Sequence, residues 1–249
     1  MKITITKRVD ARICKYLNEL KKSLRVIQKQ NNNESAVEDL CKKFLIHLFG
    51  YDEFSIYNQE RTGAQQETDF VIKNDKNQFI WICECKSMKE NLYKDKWLSQ
   101  LKGYCCTTNS NWGILTNGLS WVIYYVFQKG NEQPQHTKVY EIENILEIRN
   151  CKQDRNKLYP FCAEAVSKQL REKLLEKQKA LSCECLGCAL ISENVLTMLS
   201  KQIKKAEGIT IKEEDLAKQI KKLIPQFKDL KISRRFTKKK SYRKTNNST

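Results

Sequence analysis

Long apolar segments are missing from this 249-residue chain. No run approaches the ~20 apolar residues that cross a membrane, and the opening MKITITKRVDARICKYL has no signal-peptide core. A G-x-x-x-x-G-K-[ST] phosphate loop is also missing, which excludes a P-loop ATP-driven motor. The eleven cysteines are scattered and odd in number, so no disulfide framework is expected. We therefore expect a protein of the cytoplasm, or of the nucleus if the source is eukaryotic, with no membrane partner.

Histidine is scarce, with only two residues, His47 and His136. Both lie far in sequence from Cys183, Cys185 and Cys188, which form a C-x-C-x-x-C cluster. Because zinc usually takes four ligands, often in paired C-x-x-C spacing, small packed thiols are favoured over a zinc site here. Whether the cluster binds a metal stays open at this point.

Acidic residues are outnumbered, 29 against 46 Lys and Arg, which gives a net charge of +17. The excess lies at the two ends. Residues 1–30 hold nine basic and two acidic residues, and residues 228–249 hold nine and one, whereas residues 31–150 hold thirteen and sixteen. Basic ends of this kind suit a polyanion such as DNA. The alternative is a set of lysines that are only solvated, because no reader of base edges is recognisable.

The pattern along the chain predicts helices and short strands in the order α-β-β-β-α-β-β, around a small mixed sheet with an α+β (α/β) fold. A basic amphipathic helix is expected in 1–30 and a second helix over 35–49, with Asn31–Asn33 as a polar break. The remaining expected elements are strands over 54–57, 70–73 and 79–85, a loop over 61–66, a turn over 74–77, a helix over 93–105, and strands over 113–115 and 121–127. Asn117-Gly118 is a strong hairpin signal between the last two strands.

We expect four regions: a basic N-terminal helix (1–30), a main domain (31–150), a helical C-terminal region (151–227) and a basic, disordered tail (228–249). No strand is expected beyond residue 150. Ser192 and Thr210 are candidate helix N-caps, Thr210 with Glu213 fits a capping box, and Pro225 is expected to end the last helix.

The segment TDFVIKNDKNQFIWICECK, residues 68–86, carries the candidate site. It predicts two neighbouring strands with Asp69 on the first and Glu84 and Lys86 near the end of the second. Residues two apart in a strand share a face, so Glu84 and Lys86 point the same way, while Cys83 and Cys85 pack on the other face. A Glu-x-Lys pair by itself is more often a surface ion pair. Here it ends an apolar run, where buried charge is costly unless it has a purpose.

Two carboxylates and an ammonium are the groups that hold a divalent metal beside a phosphodiester. Asp69 and Glu84 are the predicted ligands of Mg²⁺, for which Mn²⁺ can substitute, and the main-chain carbonyl of Cys85 is a third. Lys86 would orient water and stabilise developing negative charge. Gln100 and Tyr104 share one helix face and could reach the site, although an incidental Gln on an amphipathic helix is the alternative.

These pieces resemble the PD-(D/E)xK nuclease superfamily, and within it the N-terminal nuclease domain of type I restriction enzyme R subunits and related stand-alone proteins. The matching segments follow the family's order and are NESAVEDLCKKFLIHLFGY (33–51), ETDFVI (67–72), WICECK (81–86), SQLKGY (99–104) and WGILTNGLSWVIYYV (112–126). The resemblance implies a restriction-endonuclease-like core over about residues 31–130.

Carried over by position, the resemblance makes Asp69, Glu84 and Lys86 the catalytic trio and Gln100 and Tyr104 an accessory pair. Glu34 matches a first-helix glutamate that would support a metal through a water, with Glu38 as the fallback. Thr68 stands where the superfamily name has proline, and the absence of a phosphate loop implies that no ATP is used.

The function implied is a Mg²⁺-dependent DNA endonuclease of a restriction, defence or repair type. One alternative is a DNA-binding module or subunit on the same fold, whose cleavage is latent or depends on a partner subunit. Another is an interaction protein whose C-terminal helices form a homodimer. The sequence leaves open whether the substrate is single- or double-stranded, and whether it is DNA or RNA.

Overall fold

The structure, a computed structural model, describes residues 5–30, 34–62 and 66–224. The chain folds as two compact units, one within residues 1–176 and one within residues 177–249. No described helix combines the length and apolar character that crossing a bilayer requires. The expected tail over 228–249, Pro225 and the break at Asn31–Asn33 lie outside the described residues.

A mixed sheet forms the centre of the first unit, with its described strands in the sequential order β1 to β6. They are β1 (Ile56–Thr62), β2 (Gln66–Lys73), β3 (Phe79–Cys85), β4 (Trp112–Thr116), β5 (Trp121–Phe127) and β6 (Gln135–Ile142). Neighbours pair antiparallel except β3 with β4, which pair parallel. A parallel pair needs a long crossover, and the helix between these two strands supplies it. The fold is α+β and consistent with a restriction-endonuclease-like core.

The helices of this unit pack on both faces of the sheet. They are α1 (Lys7–Lys29), α2 (Glu34–Lys43), which continues as a π-helical turn (Phe44–Leu48), α3 (Asp95–Thr107), α4 (Lys152–Arg155), α5 (Ala163–Ser167) and the start of α6 (Leu170–Ala180). On one face, α1 and α2 cover a large apolar cluster that includes Cys83 and Cys85. On the other face, Leu101 and Tyr104 of α3 pack on Val71 and Ile82.

The N-terminal helix is part of this core. Thr6 caps α1 by accepting a hydrogen bond from the Val9 amide. The apolar residues of α1 recur at helical spacing and are buried: Val9, Ile13, Leu17, Leu20 and Leu24. Arg12 reaches the carbonyl oxygens of Leu48 and Phe49 and forms two hydrogen bonds with Glu164. The basic face that the sequence predicts therefore belongs to a helix whose apolar face is buried in the core of the first unit.

The described part of the second unit contains the end of α6 and three further helices. These are α7 (Cys183–Leu190), α8 (Glu193–Glu207) and α9 (Glu213–Leu223), and no strand occurs among the described residues beyond 150, as expected. Ser192 occupies the N-cap position of α8, as expected, but its side chain makes no capping hydrogen bond, because its hydroxyl donates to the Ala189 carbonyl.

Thr210 is not an N-cap, because α9 begins at Glu213 with Lys212 as its cap residue. The Glu213 carboxylate accepts a hydrogen bond from Thr197 of α8, so it does not complete a capping box. The tertiary contact with α8 prevails over the local signal.

Three strand predictions also need correction. The strand expected over 54–57 begins only at Ile56, because Glu53–Ser55 forms a 3-10 turn capped by Asp52. The loop expected over 61–66 is wrong at its two ends, since β1 extends to Thr62 and β2 starts at Gln66, and its middle, 63–65, lies outside the described residues. Strand β6 has no counterpart among the expected elements: its sequence QHTKVYEI is mostly polar, and pairing with β5 makes it a strand.

Candidate functional site

The site lies where β2 and β3 run side by side. Phe70 pairs with Cys83, and one further step of this register sets Asp69 opposite Glu84. Both side chains continue the row of Val71 and Ile82, so they lie on the face that α3 covers. Asp69 is held in place because its Oδ2 accepts a 2.6 Å hydrogen bond from the Cys85 amide.

Lys86 follows β3 directly and is buried with its ammonium between two carboxylates. Its Nζ lies 2.5 Å from Oε1 of Glu84 and 3.1 Å from Oε1 of Glu34. Its amide donates to the Thr116 carbonyl, which extends the parallel pairing by one residue. Burial opposes the positive charge, but Glu84 and Glu34 outweigh it and raise the pKa of Lys86. Lys86 is therefore a fixed cation at this point.

The surroundings of Glu84 strongly oppose the negative charge of its carboxylate. Burial, together with the negative charge of Asp69, raises the pKa of Glu84 to about 8 despite the opposing effect of Lys86. Its Oε2 is buried and has no hydrogen-bond partner among the described residues. Burial also raises the pKa of Asp69, against the effect of the Cys85 amide and Lys86. The pKa values of both facing acids are raised, and a cation bound between them would lower these pKa values by stabilising the two carboxylates.

Helix α2 brings further carboxylates to the same place. Glu34 is at its first turn and half-exposed, and it pairs with Lys86. Glu38 lies one turn on, and burial followed by the charges of Asp69 and Glu34 raises its pKa. Glu34 and the fallback Glu38 are thus both close to the strand residues, although in this structure Glu34 binds a lysine.

The donor set fits Mg²⁺ as a two-carboxylate site. Mg²⁺ keeps several waters and is usually held by one or two carboxylates, and Asp69 with the unpartnered oxygen of Glu84 offers that number. Across the described ranges, no group of three or more His, Cys, Asp or Glu side chains is arranged to hold a metal. This applies to Cys183, Cys185 and Cys188 as well, which are free thiols.

The accessory pair of α3 is turned toward β2. Gln100 Nε2 donates to the Tyr104 hydroxyl, and that hydroxyl donates to the carbonyl of Glu67, each at 2.8 Å. Burial raises the pKa of Tyr104, and Glu84 and Asp69 act in the same direction. The hydrogen bonds of this pair therefore fix α3 to the strand that carries Asp69 and do not reach Lys86.

Two residues at the site were not recognised from the sequence. The first is Trp97 of α3, whose ring centre lies 4.7 Å from Lys86 Nζ and 3.7 Å from Lys96 Nζ. Its indole N–H donates to Glu90 at 3.3 Å. The available signal was spacing, because Trp97 precedes Gln100 by one helical turn and shares its face.

The second is Asn117, in the turn after β4. Its Oδ1 accepts from the amides of Leu119 and Ser120, and its Nδ2 donates to the carbonyls of Met88 and Glu90. One buried side chain thus ties the turn to the segment that follows Lys86. The hairpin signal identified the turn but not this long-range role.

Residues 33–142 match the family model described as Type I restriction enzyme R protein N terminus (HSDR_N). The match covers less than half of the 249 residues, and it contains the strands and helices of the site from α2 to β6. The resemblance seen in the sequence is confirmed for this segment. No curated protein and no solved structure matches the chain.

Proposed function

We propose that this chain is a Mg²⁺-dependent DNA endonuclease of the restriction, defence or repair type. The observation that carries the proposal is the placement of Lys86 Nζ within 2.5 Å of Glu84, with Asp69 opposite on the neighbouring strand. The family match over residues 33–142 supports a nuclease of the restriction type. The absence of a phosphate loop from the sequence supports cleavage without ATP.

In this proposal each side chain has one task. Asp69, oriented by the Cys85 amide, and Glu84, in its ionised form, would hold the metal, with the Cys85 carbonyl as a further ligand. Bound Mg²⁺ would polarise the phosphate and lower the pKa of a water. Lys86 would orient the attacking water and stabilise charge that develops on the phosphate.

The supporting groups complete the arrangement. Glu34 would hold Lys86 or accept from a metal-bound water, because it already lies 3.1 Å from the ammonium. Gln100 and Tyr104 would keep α3 fixed to β2, the strand that carries Asp69. The basic ends of the chain would attract DNA. We place the protein in the cytoplasm, with a homodimer or partner subunit as its assembly.

One observation favours the alternative of a DNA-binding subunit with latent cleavage. Lys86 is held by two carboxylates at once, and Tyr104 donates to a backbone carbonyl rather than to a residue of the trio. A partner that drew Glu34 away would leave the ammonium paired with Glu84 alone. In that case cleavage would appear only when the partner was added.

The test is incubation of the purified protein with supercoiled plasmid and with a linear single strand in Mg²⁺. Lys86→Ala and an EDTA sample are the negative controls, and Lys76→Ala, at an exposed turn, is the matched control. Cutting by wild type and Lys76→Ala alone supports the nuclease. DNA retention on a gel without any cutting supports the subunit instead.

A further inference from the structure

The outer face of α1 carries an excess of positive charge. Its exposed positions hold six Lys or Arg residues and one acid, Glu19. Four of the cations recur every seven residues and form what we call the cation row: Arg8, Lys15, Lys22 and Lys29. Seven residues rise about 10 Å, and a helix drifts only ~20° over that interval, so the row is nearly straight.

Little within the protein neutralises this row. Among the described ion pairs, Arg8 alone of the four has an acidic partner, Glu164 at 3.5 Å, and its own side chain is 84% exposed. Two other basic residues of α1 are used internally: Arg12 binds Glu164, and Lys21 donates to the Ile148 carbonyl. Within the described part of the chain, the row therefore faces solvent as largely unpaired charge.

The buried face of the same helix packs near the turn after β4 and near α2. Leu24 lies against the turn at Gly118, where an added Cβ would be 3.2 Å from Leu24 and 3.3 Å from Val37 of α2. Only three residues separate Gln30 from Glu34, so their Cα atoms are at most about 14 Å apart. The C-terminal end of α1 is therefore close to the first turn of α2, which carries Glu34.

We propose that the cation row docks the sugar–phosphate backbone of double-stranded DNA. The proposal rests on the proposed function for the choice of DNA as the polyanion. The row spans about 32 Å along a rigid helix, which equals roughly nine base pairs of duplex. A straight, rigid row of cations suits a stiff polyanion with regularly spaced charge, such as a duplex.

Two other partners fit less well. Single strands are usually bound through stacking on exposed aromatic rings, and the exposed positions of α1 carry none. An amphipathic helix binds a membrane by inserting its apolar face, and here that face is buried in the core. Duplex DNA is therefore the partner to which we commit.

The experiment measures equilibrium binding of the full chain in EDTA, so that cleavage does not contribute. The probes are a duplex of about 20 base pairs, which is longer than the row, the corresponding single strand, and vesicles containing phosphatidylserine. The variant changes Arg8, Lys15, Lys22 and Lys29 to Gln. The matched control changes four exposed lysines on other elements, Lys76, Lys129, Lys168 and Lys173, to Gln.

We expect the row variant to bind duplex at least tenfold more weakly, and its salt slope (log Kobs against log salt) to fall by about 3 to 4 for four phosphate contacts. The control, with the same net charge, should stay near wild type. Equal weakening in the control, an unchanged slope, or a loss confined to single strands or vesicles would overturn the proposal. If the binding result is as expected but the wild type cuts nothing in Mg²⁺, the nuclease function fails and the docking surface stands.

Discussion

The ammonium of Lys86 lies 4.7 Å from the ring centre of Trp97 and is also paired with the carboxylates of Glu34 and Glu84. A cation over an aromatic face is attracted by the ring quadrupole, by about 0.5–2 kcal/mol depending on exposure. Trp97 therefore limits the directions in which Lys86 can move. The contact links α3 to the end of β3 through the proposed catalytic residue.

Replacement of Trp97 tests this contact. We expect Trp97→Ala to lower the cleavage rate at saturating Mg²⁺ by about 2- to 30-fold, the range that corresponds to loss of the cation–ring attraction. Trp97→Phe keeps an aromatic face and should restore most of the rate. Lys96→Ala, which removes the other cation over the ring, is the control. Equal rates for the Ala and Phe variants would contradict a role for the ring.

Glu84 is expected to make the metal-free protein less stable as the pH rises. Burial and the charge of Asp69 raise its pKa from 4.5 to about 8, so between these values the folded state keeps a proton that the unfolded chain has lost. The free energy of unfolding must then fall as the pH rises through this window, by about 1.4 kcal/mol for each unit of pKa difference that is realised.

We therefore expect Glu84→Gln to be more stable than wild type at pH 8 by more than about 1 kcal/mol, and the difference to shrink toward pH 4.5. Urea unfolding in EDTA at several pH values measures it. Glu132→Gln, at an exposed position, is the control and should follow wild type. If the free energies of unfolding of wild type and Glu84→Gln change with pH in the same way, the pKa of Glu84 is not raised in the folded protein.

Asn117 is expected to be a structural anchor of the site. Asn117→Ala removes four hydrogen bonds of a buried side chain and leaves backbone groups of the turn and of residues 88 and 90 without partners. We expect a loss of about 2–4 kcal/mol in the free energy of unfolding, because unsatisfied buried groups cost about 1–3 kcal/mol each. Hydrogen exchange in the segment 86–92 should also accelerate.

The control for this prediction is Asn111→Ala, since the Asn111 side chain donates a hydrogen bond to the Val126 carbonyl, on the far end of the hairpin. This variant should lose less stability and leave exchange in 86–92 unchanged. Similar exchange in both variants would mean that Asn117 does not hold the segment after Lys86.

Gly118 and Gly130 both have a positive φ, but only Gly118 has close neighbours, so Ala variants of the two separate the cost of the backbone conformation from the cost of steric crowding. Gly118 (φ +81°) lies within 3.2–3.3 Å of Leu24 and Val37, measured from an added Cβ, whereas Gly130 (φ +55°) has open space. A left-handed conformation costs a non-glycine residue about 1–2 kcal/mol, so both Ala variants should lose at least that much. We expect Gly118→Ala to lose more, and thermal unfolding of the two variants measures the difference. Equal losses would show that Leu24 and Val37 move aside for the added methyl group at residue 118 without a loss of stability.

Much of the first unit could be predicted from local patterns. The alternation in β3 identifies which face Glu84 takes, and the helical periodicity of α1 identifies its buried stripe. Strand β6 escapes prediction because its mostly polar sequence becomes a strand only through pairing with β5. The prediction of Thr210 as a cap is wrong, since the side chain of Glu213 binds Thr197 instead.

The sequence by itself determined that Asp69 and Glu84 lie on two successive strands and that Lys86 comes directly after the second, because their spacing and the two-residue period of a strand are local properties. Only the tertiary structure decided that Glu34, 52 residues away, pairs with Lys86, and that Trp97 faces the same ammonium. Those contacts depend on how α2 and α3 pack against the sheet. Such packing is set by the whole core and leaves no signature in a short stretch of sequence.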